Sequence, residues 1–238
     1  MIRDFGAIVF CILMAYLVAI AASVDGAIFS GLPVILLCAI VSFATHWIIA
    51  VPSLITSSEK YFDFTGMVAT LLLVLTSMFA LLSSGAEASI RSVFVATFVS
   101  VWTLRLGIFL YKRIVKAGED RRFRDIKKSL PKFLMTWTLS ALWVFLTTVN
   151  SITLIALNPL EPIGVFFVFG ALLWLLGFGF EVIADRQKST SVSSLKIKVV
   201  LSPRVFGLSL VTQTILEKLF YGQGLQLSRY HFYPAGSL

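Results

Sequence analysis

Three groups of polar residues interrupt an otherwise apolar sequence. Glu59, Tyr61 and Asp63 lie in the link TSSEKYFDFTG, from Thr56 to Gly66. Arg105 stands about two helical turns ahead of the basic run that begins at Lys112. Glu181 and Asp185 close a long aromatic run and lead into Arg186, Gln187 and Lys188. The last pair is four residues apart, so on a helix both carboxylates share one face and repel, and a cation or hydrogen-bond donor is expected opposite them. Glu181 follows Phe180 while the sequence is still apolar. An acid at membrane depth is costly enough to point to function, and the structural alternative is a polar helix end at headgroup level. Arg105 either snorkels to the interface or faces the bundle interior and holds an anion. The acids between Thr56 and Gly66 either do acid chemistry or form an ordinary loop in which Ser57 or Ser58 caps a helix.

The elements that must carry these groups are membrane helices. Of 238 residues, 58% are hydrophobic and 13% charged, and the mean hydropathy is +0.93. Soluble domains are nearer 45–50% apolar, so the chain is read as an integral membrane protein. Its 20 Lys and Arg exceed its 12 Asp and Glu by eight charges, which bears on membrane orientation and lipid headgroups rather than on nucleic acid. Cys11 and Cys38 lie singly in apolar runs and are read as small core or lipid-facing residues. With His46 and His231 scattered, no metal site is expected.

Apolar runs of spanning length, about 20 residues each, are expected from Gly6 to Ser23, Ile28 to Ile55, Phe64 to Leu82, Ile90 to Tyr111, Phe133 to Leu157, and Ile163 to Lys188. The second contains Pro33 and Pro52, so a kink is expected at its beginning or end. His46, beside Trp47, is read as a packed or interfacial histidine. The segment KRIVKAGEDRRFRDIKKSLPK, from Lys112 to Lys132, has nine Lys and Arg against three Asp and Glu. The positive-inside rule makes it cytoplasmic. The expected architecture is therefore an all-α, polytopic transmembrane bundle of about six spans with both termini cytoplasmic. All three polar groups then gather on the cytoplasmic side, within reach of a soluble anionic cofactor. The region 189–238 has no apolar run of spanning length and is expected to be a non-spanning, poorly ordered tail on a membrane domain of residues 1–188.

The segments WTLRLGIFLYKRIVKAGEDRRF, FLMTWTLSALWVFLT and FEVIADRQK resemble, in order, motifs of the steroid 5-alpha-reductase-like membrane family, in its branch of uncharacterised reductases. The resemblance covers roughly Glu59 to Lys188. It implies an NADPH-dependent oxidoreductase that saturates a carbon–carbon double bond conjugated to a carbonyl in a steroid or other lipid. Hydride would reach the β carbon while an acid or phenol polarises the carbonyl. Glu59, Tyr61 and Asp63 are the catalytic candidates that it suggests. Arg105 and the basic link would serve the cofactor's phosphates, Asp185 its ribose hydroxyls, and Glu181 the neighbouring polar position. The membrane would be the endoplasmic reticulum of a eukaryote or the inner membrane of a bacterium. A transporter of a small molecule or lipid, and a non-catalytic remnant that binds lipid or partners, are the alternatives from other classes. Neither substrate identity nor oligomeric state follows from the sequence.

Two departures from the family pattern stand out. Ser140 replaces the usual glutamine of the second motif. After Lys188 the expected G-L-W-x-x-S-R-H-P-N-Y-F-G-E segment, which carries much of the cofactor site, is missing, and a chain lacking it is expected to be inactive. One fixed shifted reading frame allows Gly-Leu-Trp across Arg204 to Gly207 and Arg-His-Pro-Asn-Tyr-Phe-Gly-Glu across Leu210 to Lys218. The tail is therefore expected to be the family's C-terminal segment out of frame, through a frameshift, a splice difference or a gene-model error. Codons for Val211 to Glu217 that cannot spell this motif would end that reading.

Overall fold

The computed structural model describes residues 2–23, 26–56, 58–118, 120 and 123–194. Seven helices carry it: α1 (Ile2–Ala22), α2 (Val34–Ile55), α3 (Phe62–Ser83), α4 (Ile90–Ala117), the short α5 (Phe123–Ile126), α6 (Leu130–Leu157) and α7 (Val165–Ser194). Six of them are long and apolar enough to cross a membrane, as the runs of apolar residues require. The expected all-α chain with six spans is what the chain forms. By internal contact it divides into Met1–Leu160 and Glu161–Leu238, and α7 belongs to the second unit. The backbone of α7 runs past Lys188 to Ser194. Of the tail expected to be disordered and out of frame from residue 189, the first six residues are thus helical, and 195–238 lie outside the described residues.

The first unit is built round α6. It packs against α1, α2, α3 and α4, and 61% of its most apolar stretch is buried, more than in any other span. In lipid, helices associate through close van der Waals contact, so small residues mark the seams. On α1 the seam is Cys11, Ala15 and Ala19, one turn apart and buried. Cys38 is buried between α2 and α3, with Sγ 3.4 Å from Ser77 Oγ. Both cysteines are core residues.

One expectation was too simple between α1 and α2. Residues 28–33 do not start the second helix but form a two-stranded hairpin, β1 (Ile28–Phe29) and β2 (Leu32–Pro33), around a Ser30-Gly31 turn. Phe29 packs edge-on against Phe79 of α3 at 5.6 Å. Pro33 then lies just before α2, where its missing N–H costs nothing, and Pro52 falls in the last turn.

Antiparallel α3 and α4 are in register through Asp63 with Arg113 at 3.8 Å, Phe64 with Tyr111 at 5.3 Å, and Met67 with Gly107. At the opposite end a single residue ties α6 to the link between α3 and α4. Asn158 adopts a left-handed conformation that ends α6. Its Oδ1 accepts from the Ser89 amide at 2.7 Å and the Ser92 hydroxyl at 3.1 Å, and its Nδ2 donates to the Glu87 carbonyl at 2.9 Å. The SSGAEAS link, which reads as a plain turn, is in fact pinned.

Candidate functional site at the basic end of the bundle

The end formed by the close of α2 and α4 and the start of α3 and α6 holds the first polar group and the basic link. Glu59 is only 5% exposed. Its Oε2 takes a hydrogen bond from Lys127 Nζ at 2.6 Å, and its Oε1 accepts from the Asp120 amide at 2.7 Å. Burial alone would raise this carboxyl; the Lys127 ammonium and the Asp120 amide outweigh it and hold the group below the ordinary glutamate range. These two contacts make Glu59 an anchor that fastens the basic link to the α2–α3 link.

The basic link can turn back because Gly118 ends α4 at φ +82, a conformation open to glycine. It then delivers Phe123 into an aromatic cluster. Phe123 meets Phe62 at 4.9 Å, Phe62 meets Trp137 at 5.2 Å, and Phe133 meets Trp137 at 5.8 Å. The run GEDRRF thus acquires a physical meaning at three described positions: a chain reversal at Gly118, a backbone donor at Asp120 and an aromatic plug at Phe123.

The other two catalytic candidates are more open. Tyr61 precedes the first turn of α3 and is 48% exposed. Asp63 occupies that first turn and faces Arg113. Ser58 does not act as the expected helix cap: its Oγ lies 3.4 Å from the Lys60 amide, and α3 has no side-chain cap. Ser57 lies outside the described residues.

Arg105 does not enter the core between α3, α4 and α6. The buried line of α4 is Ser92, Ala96, Val99, Thr103, Gly107 and Ile114. Arg105 is two residues from both Thr103 and Gly107, roughly 200° round the helix from them. It is partly buried there, with its guanidinium 5.8 Å from the Phe109 ring centre.

Within α7, Trp174 and Phe178 stack at 5.0 Å and 8°. Glu181 and Asp185 continue the same line at spacings of three and four, and both are partly buried. The two carboxylates do share a helix face, as their spacing requires. Arg105 belongs to one unit of the chain and these acids to the other.

Sequence reasoning missed a row of polar contacts that joins α2 to α6. Ser42 Oγ donates to the Ala141 carbonyl at 2.8 Å and Trp47 Nε1 to Thr138 Oγ1 at 3.1 Å, while within α2 His46 Nδ1 donates to the Ser42 carbonyl at 2.8 Å. With that nitrogen protonated, His46 Nε2 is the acceptor for the Ser140 hydroxyl at 3.3 Å. His46 is packed, as expected, and Ser140, which differs from the motif, is its partner. Nearer the basic end, Trp137 Nε1 and Ser53 Oγ are buried without a hydrogen-bond partner among the described residues, the kind of orphan that a ligand or ordered water completes. Among the described residues no three His, Cys, Asp or Glu side chains cluster to hold a metal ion.

A family model described as a protein of unknown function, DUF1295, matches residues 46–204. The chain belongs to the DUF1295 family. The DUF1295 match takes in α2 from His46, the whole aromatic cluster, the basic link and α7, and continues past Lys188. Neither a curated protein nor a solved structure matches the chain.

Proposed function

We propose that this DUF1295 protein is an integral membrane reductase of the steroid 5-alpha-reductase type, which uses NADPH to saturate a carbon–carbon double bond conjugated to a carbonyl in a steroid or other lipid. The observation that carries the reading is the gathering of motif segments, far apart in sequence, at one end of the bundle. The Asp120 amide bonds to Glu59, and Trp137 packs against Phe62. Buried orphan donors at Trp137 and Ser53 leave polar valences there for a bound molecule.

In this reading the roles divide by environment. Glu59, already ionised and doubly bonded, positions the basic link. Tyr61, half exposed, is the better donor to a substrate carbonyl, and Asp63 holds Arg113. The donor set suits a dinucleotide phosphate: guanidinium and ammonium groups for its phosphates, carboxylates for its hydroxyls. Bound NADPH supplies the hydride. Of the residues that the motifs suggest for it, Arg105 is the phosphate candidate in the first unit; on α7, Asp185 is the ribose candidate, with Glu181 one turn away. A transporter and a non-catalytic lipid-binding protein are the competing readings, and NADPH oxidation on adding an enone lipid separates the reductase from both.

The test is cofactor affinity, read by nicotinamide fluorescence on the purified protein carrying the family's full C-terminal segment. Arg105→Ala is expected to weaken binding by about 1.5 to 3 kcal/mol, the scale of a charge-assisted hydrogen bond. Asp185→Ala should weaken it as well. Unchanged affinity in both variants would return Arg105 to a snorkelling role and Asp185 to a helix end.

The basic link sets the orientation in the same proposal, with both termini on the cytoplasmic face. Cysteines placed between Lys116 and Lys128 should react with an impermeant reagent only from that face. Labelling from the opposite face would reverse the topology and remove the site from cytosolic NADPH.

A further inference from the structure

We propose that the basic end of the bundle binds the headgroups of anionic phospholipids in the adjoining leaflet. The proposal does not depend on the reductase reading. It begins with length: α4 has 28 residues, about 42 Å at helical rise, against roughly 30 Å of hydrocarbon. Its apolar stretch closes at Tyr111, so Lys112 to Ala117 extend to headgroup depth.

Charge at this end is sorted by the fold. The acids turn inward: Glu59 is buried against Lys127, Asp4 of α1 is buried, and Asp63 is engaged by Arg113. Among the described acids at this end Asp125 is the exposed exception, and Lys128 sits on it at 2.7 Å. Apart from Lys127, the described cations at this end turn outward. Lys112, Arg113, Lys116, Lys128 and Lys132 are all exposed, spread over the last turns of α4, the turn after α5 and the start of α6. Val115 and Leu130, both more than half exposed, lie among them. Apolar residues interleaved with outward cations suit the boundary between acyl chains and phosphates. Distribution over three elements suits many headgroups better than a single soluble phosphate. At the other end of this unit, the exposed charge among the described residues is Glu87, with Arg91 half-buried.

The native protein, reconstituted in phosphatidylcholine bilayers, is probed with trace spin-labelled phosphatidylglycerol or spin-labelled phosphatidylcholine. The fraction of each probe immobilised at the protein is then compared. Phosphatidylglycerol is expected to be preferred by about fivefold, the effect of a single well-placed cation near an anionic surface. The preference should collapse in Lys112→Gln/Lys116→Gln/Lys132→Gln, survive in the corresponding triple arginine variant, and fade at high salt. Equal immobilisation of the two probes, or a preference that survives the glutamine variant, overturns the proposal. So does loss of the preference to millimolar inorganic phosphate but not to chloride of equal ionic strength, since the cations would then form a site for a soluble anion. Each of these readouts is independent of NADPH binding at Arg105.

Discussion

Gly107→Val should destabilise the bundle by about 2 to 3 kcal/mol, the upper range for overpacking a tight contact, and lower the melting temperature of the detergent-solubilised protein. A β carbon at Gly107 would lie 2.5 Å from both the Cβ and the Sδ of Met67. The sulphur can swing away, but Cβ is fixed to the α3 backbone, so the two helices must part. Separation would pull apart the neighbouring contacts in the same register, Phe64 with Tyr111 and Asp63 with Arg113. Gly107→Ala should cost less, because alanine regains about 1 kcal/mol of helix propensity. Met67→Gly and Gly107→Ala together should cost less than the sum of their separate losses, because the clash needs both side chains. A Gly107→Ala protein that melts higher than the native one would mean that the helices yield freely at this point.

Removal of the carboxylate in Glu59→Ala is expected to cost about 3 kcal/mol, the lower range for breaking a buried ion pair. It leaves Lys127 and the Asp120 amide without their acceptor and frees the basic link from the bundle end. Trypsin should then cut at the link's lysines and arginines sooner than in the native protein, before global unfolding. Lys127→Met should cost less, since the Asp120 amide still serves Glu59. The anchor also sets a pH dependence. The folded-state value of Glu59 lies below the ordinary 4.5, so its stabilisation is complete above that value and is lost as the pH falls through the depressed one. Trypsin-like sensitivity of the link, read with an acid-stable protease, should rise in that acidic window in the native protein and be high already at neutral pH in Glu59→Ala. A link equally resistant in both proteins would show that Phe123 alone holds it.

Much of the fold was legible because lipid admits few solutions: apolar runs of spanning length must be helices, and most ends fell within four residues of expectation, while α4 and α7 run six residues further. The hairpin at 28–33 escaped because its strands are apolar enough to be absorbed into the neighbouring span. Only Ser30-Gly31, a dipeptide suited to a tight hairpin turn, could have betrayed it. The centre of the bundle was harder to read. Ile163 to Lys188 draws the eye through its charges, yet α6 is the most buried span, and its sequence differs from its neighbours mainly in scattered Ser and Thr. Those hydroxyls bond to backbone within the helix or to Trp47 and His46 across the seam, and a partner in another helix leaves no mark on sequence spacing. Glu59 shows the same limit at the candidate site. Its position marked it as an acid between two spans, but Lys127, 68 residues away, decides that it is an anchor. For Asn158 a signal did exist, since asparagine is among the few residues that end a helix in the left-handed conformation, and Pro159 after it cannot continue one.

The central place of α6 carries a consequence for how the chain is made. It is the fifth span to leave the ribosome, yet it contacts each of the four before it. Until Leu157 has been synthesised, α1 lacks the surface that its Cys11, Ala15 and Ala19 seam packs against, and α2 to α4 can form only the walls of an open trough. The Glu59–Lys127 pair can close earlier, because Lys127 emerges before α6 begins. It would hold the mouth of the α3–α4 hairpin while the trough waits to be filled. The Asn158 latch can engage only once the last residue of α6 has crossed. A nascent chain arrested before Leu130 therefore remains laterally open to lipid and to insertion factors, and its closure is timed by one helix rather than spread over six.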